Sequence, residues 1–192
     1  MSVRILCVRL ILVCLVLHGM SATAKAEPTV DVRAGKLLLH VPTTWKKELP
    51  SSRMRLLQFR VAAGEGDEQD TEFVVFSFRG GGTVKQNIER WIGQFAPQGR
   101  KVALFQGKTK EGEYWLADIS GIYKKSIGPP IAGRTKEIPD SRVLKVILMD
   151  REGGVYYLTL VGPNKTVAAQ GQRFRAVFDA NTAEEKPFSL DQ

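Results

Sequence analysis

Two cysteines and two histidines are the only thiols and imidazoles in this 192-residue chain. Cys7, Cys14 and His18 lie within the first 18 residues, so His40 stands alone in the rest. A serine–histidine–acid relay would have to run through it. His40 falls in an apolar run, residues 37–41 (LLLHV), sharing a strand face with Leu38 while Leu37 and Leu39 take the other. No orienting partner is visible for it, so a sheet histidine with a structural hydrogen bond is the preferred reading. Structural zinc draws on clusters of Cys and His, which this sequence lacks, and no metal or other cofactor is expected. Glu65, Asp67, Glu68, Asp70 and Glu72 offer oxygen ligands to a hard cation. Their spacing departs from the D-x-[DN]-x-[DN]-G calcium loop, and a solvated charged loop is preferred.

Two further features bear on binding. Gly80-Gly81-Gly82 leads into a helical pattern, where backbone N–H groups could meet an anion. It lacks the G-x-x-x-x-G-K-[ST] signature, so the glycines read as a turn and helix lead-in. Residues 125–141 (KSIGPPIAGRTKEIPDS) carry three prolines and two glycines and read as a long loop. Loops of this length in compact domains are often functional or disordered, and a flexible surface hairpin extension is the preferred reading over a partner-docking loop. Tyr123, Lys124, Lys125, Arg134 and Lys136 are its candidate partner-binding residues.

The elements that must position these residues follow from periodicity. Residues 36–41, 55–62, 72–79, 101–109, 113–124, 142–149 and 155–161 are apolar or alternating runs bounded by turn residues, and they predict strands. Thr83 with Gln86 three residues on has the spacing of a capping box. Val84, Ile88, Trp91, Ile92 and Phe95 then form one apolar stripe on a helix, with Lys85, Asn87, Glu89 and Arg90 on its other face. Val167, Gly171, Phe174, Val177 and Phe178 predict a second helix over 164–178. Hairpin-sized connections favour an α+β domain: a largely antiparallel sheet with helices packed on it. Two helices leave part of one sheet face to be closed by loops or by the N-terminal segment.

The first 26 residues read as an address. Arg4 and Arg9 precede an unbroken apolar run over 10–17 (LILVCLVL), and small residues follow, ending Ala24-Lys25-Ala26. This is the pattern of a secretory signal peptide cleaved after Ala26, with Ala24 the alternative site. The run is too short to span a bilayer, so no transmembrane span is expected after cleavage. The processed chain, 27–192, loses Arg4, Arg9 and Lys25 and no acid, and its charge falls from +8 to +5. It keeps neither cysteine, so its core must hold without disulfides. Within it, 27–180 is read as one domain and 181–192 as a polar tail that frays. Scattered basic residues and export argue against a nucleic-acid partner.

The turn Val41-Pro42-Thr43-Thr44-Trp45, the Thr83 to Phe95 helix after a Phe-rich strand, and the ending Tyr156-Tyr157-Leu158-Thr159-Leu160-Val161-Gly162-Pro163 with its helix carry a resemblance. They resemble the PsbP-like fold family, which includes the photosystem II extrinsic protein PsbP, the yeast Ran-binding import factor and bacterial exported domains of unknown function. The resemblance implies an α/β/α sandwich around an antiparallel sheet, in a family of adaptors and assembly factors more than of enzymes. It transfers no functional residue, and Thr44 stands where the family has a glycine before the tryptophan. The expected function is an exported, periplasmic or secreted, non-enzymatic binding or assembly module. Its partner would be an unknown protein or envelope component. The alternative is an exported hydrolase or small-ligand enzyme using His40 with carboxylates from separate strands.

Overall fold

Alternating Val, Phe and Leu residues give this chain its central layer, an eight-stranded sheet. The computed structural model describes residues 27–78, 80–127 and 133–190. The leader assigned to 1–26 lies outside the described residues, as do 128–132 of the long loop. The strands are β1 (Thr29–Ala34), β2 (Leu37–Pro42), β3 (Lys46–Glu48), β4 (Arg55–Val61), β5 (Thr71–Ser77), β6 (Lys101–Lys108), β7 (Gly112–Ser126), β8 (Thr135–Asp150), β9 (Val155–Pro163) and β10 (Lys186–Pro187). The helices are α1 (Val84–Ile92), α2 (Asn164–Ala169) and α3 (Gly171–Val177). The large sheet has the order β10-β6-β7-β8-β9-β5-β4-β3 with every pair antiparallel, and β1 and β2 form a separate hairpin. The protein is therefore α+β and largely antiparallel. Its two edge strands have only two and three residues, which limits the unpaired backbone open to another chain.

The non-sequential neighbours β5 and β9 follow from one crossing. After β5 the chain passes over β9, β8 and β7 before entering β6. Nine helical residues span ~14 Å, about three strand spacings. Along that path Ile88, Trp91 and Phe95 pack on Ala117, Ile119, Val143, Ile147 and Tyr157. The capping box is present: Gln86 N–H donates to Thr83 Oγ1 at 3.2 Å and Thr83 N–H to Gln86 Oε1 at 2.9 Å. Asn87, expected on the solvent face, is buried instead. Its amide donates to Gly81 O at 2.8 Å and Thr83 O at 2.9 Å, fastening the glycine lead-in to the helix. Gly81 must lack a side chain, because a Cβ there would stand 2.3 Å from the Tyr157 hydroxyl. The glycine run is thus a packed turn, with Gly80 and Gly82 at positive φ.

The opposite face is closed jointly by the β1–β2 hairpin and by α2 and α3. Leu37, Leu39 and Val41 meet Val167, Phe174, Val177 and Phe178 over Phe59, Phe73, Leu116, Leu144 and Leu158. The N-terminal segment therefore supplies the cover that two helices could not.

Three expectations are corrected. The helix over 164–178 is two short helices meeting at Gln170, so Val167 and Phe174 enter the same core at different angles. The tail from residue 181 does not fray over its described part. Lys186 and Pro187 pair with Gln106 and Phe105, Phe188 N–H donates to Leu104 O at 2.9 Å, and Glu185 is held by Arg175 and Tyr114. The loop over 125–141 is mostly strand, because β7 runs to Ser126 and β8 begins at Thr135.

Candidate functional site

β7 and β8, with 15 and 16 residues, outrun their neighbours of 8 and 9 and form a two-stranded arm. A register shift between Gly121 and Tyr123 bends the arm, and Asp140 on β8 takes a positive φ of 47° beside it. Gly121 adopts φ 142° where its Cβ would press on the Arg100 backbone at 3.2 Å. The base is fastened to the segment after α1. Ala96 N–H donates to Ile122 O at 2.9 Å and Lys124 N–H to Gln94 O at 2.8 Å. The Phe95 and Tyr123 rings lie 5.2 Å apart.

Register places the predicted basic residues. Tyr123 is opposite Ile138, Lys124 opposite Glu137 and Lys125 opposite Lys136. Ile127 N–H donates to Arg134 O at 2.9 Å, continuing the same pairing. Residues directly opposite, and residues two apart, share a face of the ladder. Tyr123, Lys125, Arg134 and Lys136 therefore lie on one face together with Ile127 and Ile138. Lys124 is on the other face, so four of the five candidates are brought together and one is not. The lysines at 125 and 136 oppose each other directly, a like-charge arrangement that costs stability. Neither they nor Arg134 has a carboxylate partner among the described residues.

At the base of the arm lies a half-open groove of about 600 Å³, lined in part by Arg55, Asp67, Glu72, Tyr123, Lys125 and Ile138. Burial first, and the Glu72 carboxylate second, push the Tyr123 phenol up. The groove's acidic wall is the 64–72 loop, which is more ordered than a solvated charge run. Asp67 accepts from Thr166 N–H at 3.0 Å and from Thr166 Oγ1 at 2.5 Å. Pro163 before α2 has no side chain to cap it, and Asp67 supplies the missing acceptor from 99 residues away. Asp70 accepts from Ala63 N–H at 2.9 Å and pairs with Arg60 at 3.1 Å, and these hold its carboxyl below the usual range. Glu72 pairs with Arg55 at 2.7 Å. No three His, Cys, Asp or Glu residues among the described residues stand together as a metal site.

His40 has partners that its sequence neighbourhood did not show. Nδ1 lies 2.7 Å from Asp31 Oδ1 and Nε2 3.3 Å from Asp179 Oδ2, with the ring about 29% exposed. Each ring nitrogen thus has a carboxylate within reach, one from β1 and one from the segment after α3. The contact clips the β1–β2 hairpin to the residues just after α3. Antiparallel pairing of β1 with β2, a strand the sequence did not announce, is what brings Asp31 opposite His40.

Lys145 on β8 was also missed, because nothing near it in sequence marks it. Its Nζ donates to Gln94 Oε1 at 2.8 Å and lies 5.4 Å over the Trp91 ring. Burial, then the charge of Arg90, push its ammonium down to about 8 from 10.5. The unfolded chain therefore holds this proton more tightly than the folded one. Folding is penalised at every pH below about 8, and the penalty is relieved as pH rises toward 10.5. Lys145→Met is expected to raise stability at pH 7 by about 1–2 kcal/mol, net of the lost Gln94 and Trp91 contacts. Melting curves across pH 7–10.5 check this, and a gap between variant and parent that does not narrow would refute it.

No protein-family model and no curated protein matches the sequence. Among solved structures, the chain is similar to the solution structure of cyanobacterial PsbP (CyanoP) from Synechocystis sp. PCC 6803. That likeness has 13% identity and a TM-score of 0.46, and covers 89% of this chain and 99% of that one.

Proposed function

We propose that this protein is an exported binding or assembly module that holds an acidic segment of a protein or envelope component on one face of its β7–β8 arm. The observation that carries this reading is the opposed pair Lys125–Lys136 with Arg134 beside it, unpaired on a projecting arm. Like charges directly across a ladder destabilise it, and carboxylates from a partner relieve that repulsion. A guanidinium adds bidentate recognition of a carboxylate. Tyr123, Ile127 and Ile138 supply apolar contact on the same face. The anchoring of the arm base to Gln94 and Ala96 means that little conformational freedom is lost on binding. Export is supported by the leader pattern of residues 1–26. Among the described residues no helix is long and apolar enough to cross a membrane.

The test uses the full chain expressed in exporting cells, with a photo-crosslinking residue at position 127. An adduct is expected on a chain that begins at Glu27. Lys125→Glu sets opposite charges across the pair and is expected to raise Tm by about 1–3 °C. The same substitution is expected to weaken the adduct, and K125E/K136E to abolish it. Lys124→Glu, on the other face, should leave the adduct intact. Equal loss with Lys124→Glu, or an adduct indifferent to Lys125 and Lys136, would overturn the reading.

A further inference from the structure

The far edge of the sheet carries an exposure that the arm does not explain. Leu49 is 92% and Met54 63% exposed, and both sit in the loop between β3 and β4. Leu56, at the start of β4, is exposed beside them. Isolated surface leucines are common, but here three large apolar side chains fall within eight residues of one hairpin.

The loop is not held open by disorder. Ser51 N–H donates to Gln58 Oε1 at 2.9 Å, Arg55 N–H to Ser52 O at 3.0 Å and Met54 N–H to Ser52 Oγ at 3.2 Å. Gln58 is itself buried, accepting from Arg55 at 2.8 Å and donating to Glu48 at 3.2 Å. This network fixes the loop so that Leu49 and Met54 face away from the core. A chain able to fold these side chains inward would gain from burying them, yet the polar network below them blocks that route.

The charge around the tip selects what covers it. Lys47 and Arg53 flank the apolar residues and are exposed, whereas Lys46, opposite Arg60 at the other end of β3, lies within range of the Asp70 carboxylate. The nearby acids are occupied elsewhere: Glu48 pairs with Arg60 at 3.0 Å and Glu72 with Arg55 at 2.7 Å. The tip thus presents apolar side chains beside two exposed cations, Lys47 and Arg53, that have no ion-pair partner among the described residues. An anionic lipid surface demands only shallow apolar insertion and positive charge at headgroup level.

We infer that the β3–β4 loop is a peripheral anchor that docks this domain on anionic bilayers, Leu49 and Met54 entering the acyl boundary and Lys47 and Arg53 meeting the headgroups. The site lies apart from the arm and does not depend on its partner. Because one loop and a few charges anchor only weakly, the docking is reversible and falls with salt.

Residues 27–192, which contain both cores, are mixed with vesicles of phosphatidylcholine and with vesicles holding roughly one third phosphatidylglycerol. Sedimentation with the anionic vesicles only, lost at high salt, is expected. L49S/M54S and K47E/R53E should each weaken partitioning about tenfold or more, with unchanged melting curves. The 27–192 chain has no cysteine, so Met54→Cys takes an environment-sensitive dye at one position. Its emission should shift to the blue on anionic vesicles, while the same dye on Lys108→Cys, at the opposite side of the sheet, should not shift. No sedimentation, equal binding to both vesicles, equal binding of the variants, or no shift at position 54 would each overturn the inference.

Discussion

Replacing Glu185 by alanine is expected to destabilise the domain by about 3–5 kcal/mol and to release its C-terminal strand. Glu185 accepts from Arg175 Nε at 2.9 Å and from Arg175 Nη2 at 2.8 Å, and from the Tyr114 hydroxyl at 2.7 Å. The Arg175 and Glu185 side chains are only 12% and 9% exposed, and the guanidinium lies 5.5 Å over the Phe105 ring. Removing the carboxylate leaves a cation with little access to water and strips the Tyr114 phenol of its acceptor. Burial, then that carboxylate, push the phenol's titration up, so it remains a donor throughout the ordinary pH range. The cost is the stranded charge, not the lost contact. R175M/E185L, which removes both charges at similar volume, should therefore recover most of the stability. Urea unfolding measures the three chains, and amide exchange at Phe188 reports the strand. An E185A variant as stable as its parent, or a double variant worse than the single one, would refute the account.

Phe73→Ala is expected to cost a similar amount, about 3–5 kcal/mol. Phe73 is fully buried on β5, with the Trp45 ring 5.2 Å away, Phe59 at 6.0 Å and Phe174 at 6.0 Å edge-on. These partners come from the turn after β2, from β4 and from α3. One ring thus joins the hairpin layer, the sheet and the helix layer, and the cavity left by alanine opens at their junction. Close packing there limits collapse into the void. For a domain of this size the loss corresponds to a fall in Tm of roughly 10 °C. Phe73→Leu should cost well under half as much, because most of the volume remains. Equal effects of the two substitutions would show that packing at this junction is not what the ring supplies.

The regular parts of the fold were legible because each carried its own period. The Val84–Phe95 stripe and the Thr83–Gln86 box announced α1, and the Phe-rich run announced β5. β1, β3 and β10 were not legible. Lys46–Glu48 and Lys186–Pro187 contain no apolar alternation and are strands only because a neighbour pairs with them. The same holds for the outer part of β8, 135–141, where Pro139 and three charged residues read as loop and the ladder with β7 makes strand. The candidate site was half legible. The sequence marked the basic residues near Tyr123, but which of them share a face depended on register. His40's carboxylates, 9 and 139 residues away, and Lys145's burial left no local trace.

The sequence by itself determined the α+β class, the chemistry in short supply, the basic surplus and the leader pattern. Each depends on composition or on a period shorter than one element. Only the tertiary structure decided that 125–126 and 135–141 are paired strand, and that Lys125 and Lys136 oppose each other. It also decided that Asp67 caps a helix 99 residues on, and that Leu49 and Met54 are held outward by a buried glutamine. These are pairings between distant segments. Their free energy comes from contacts that exist only once the whole sheet has closed, so no local window of residues records them.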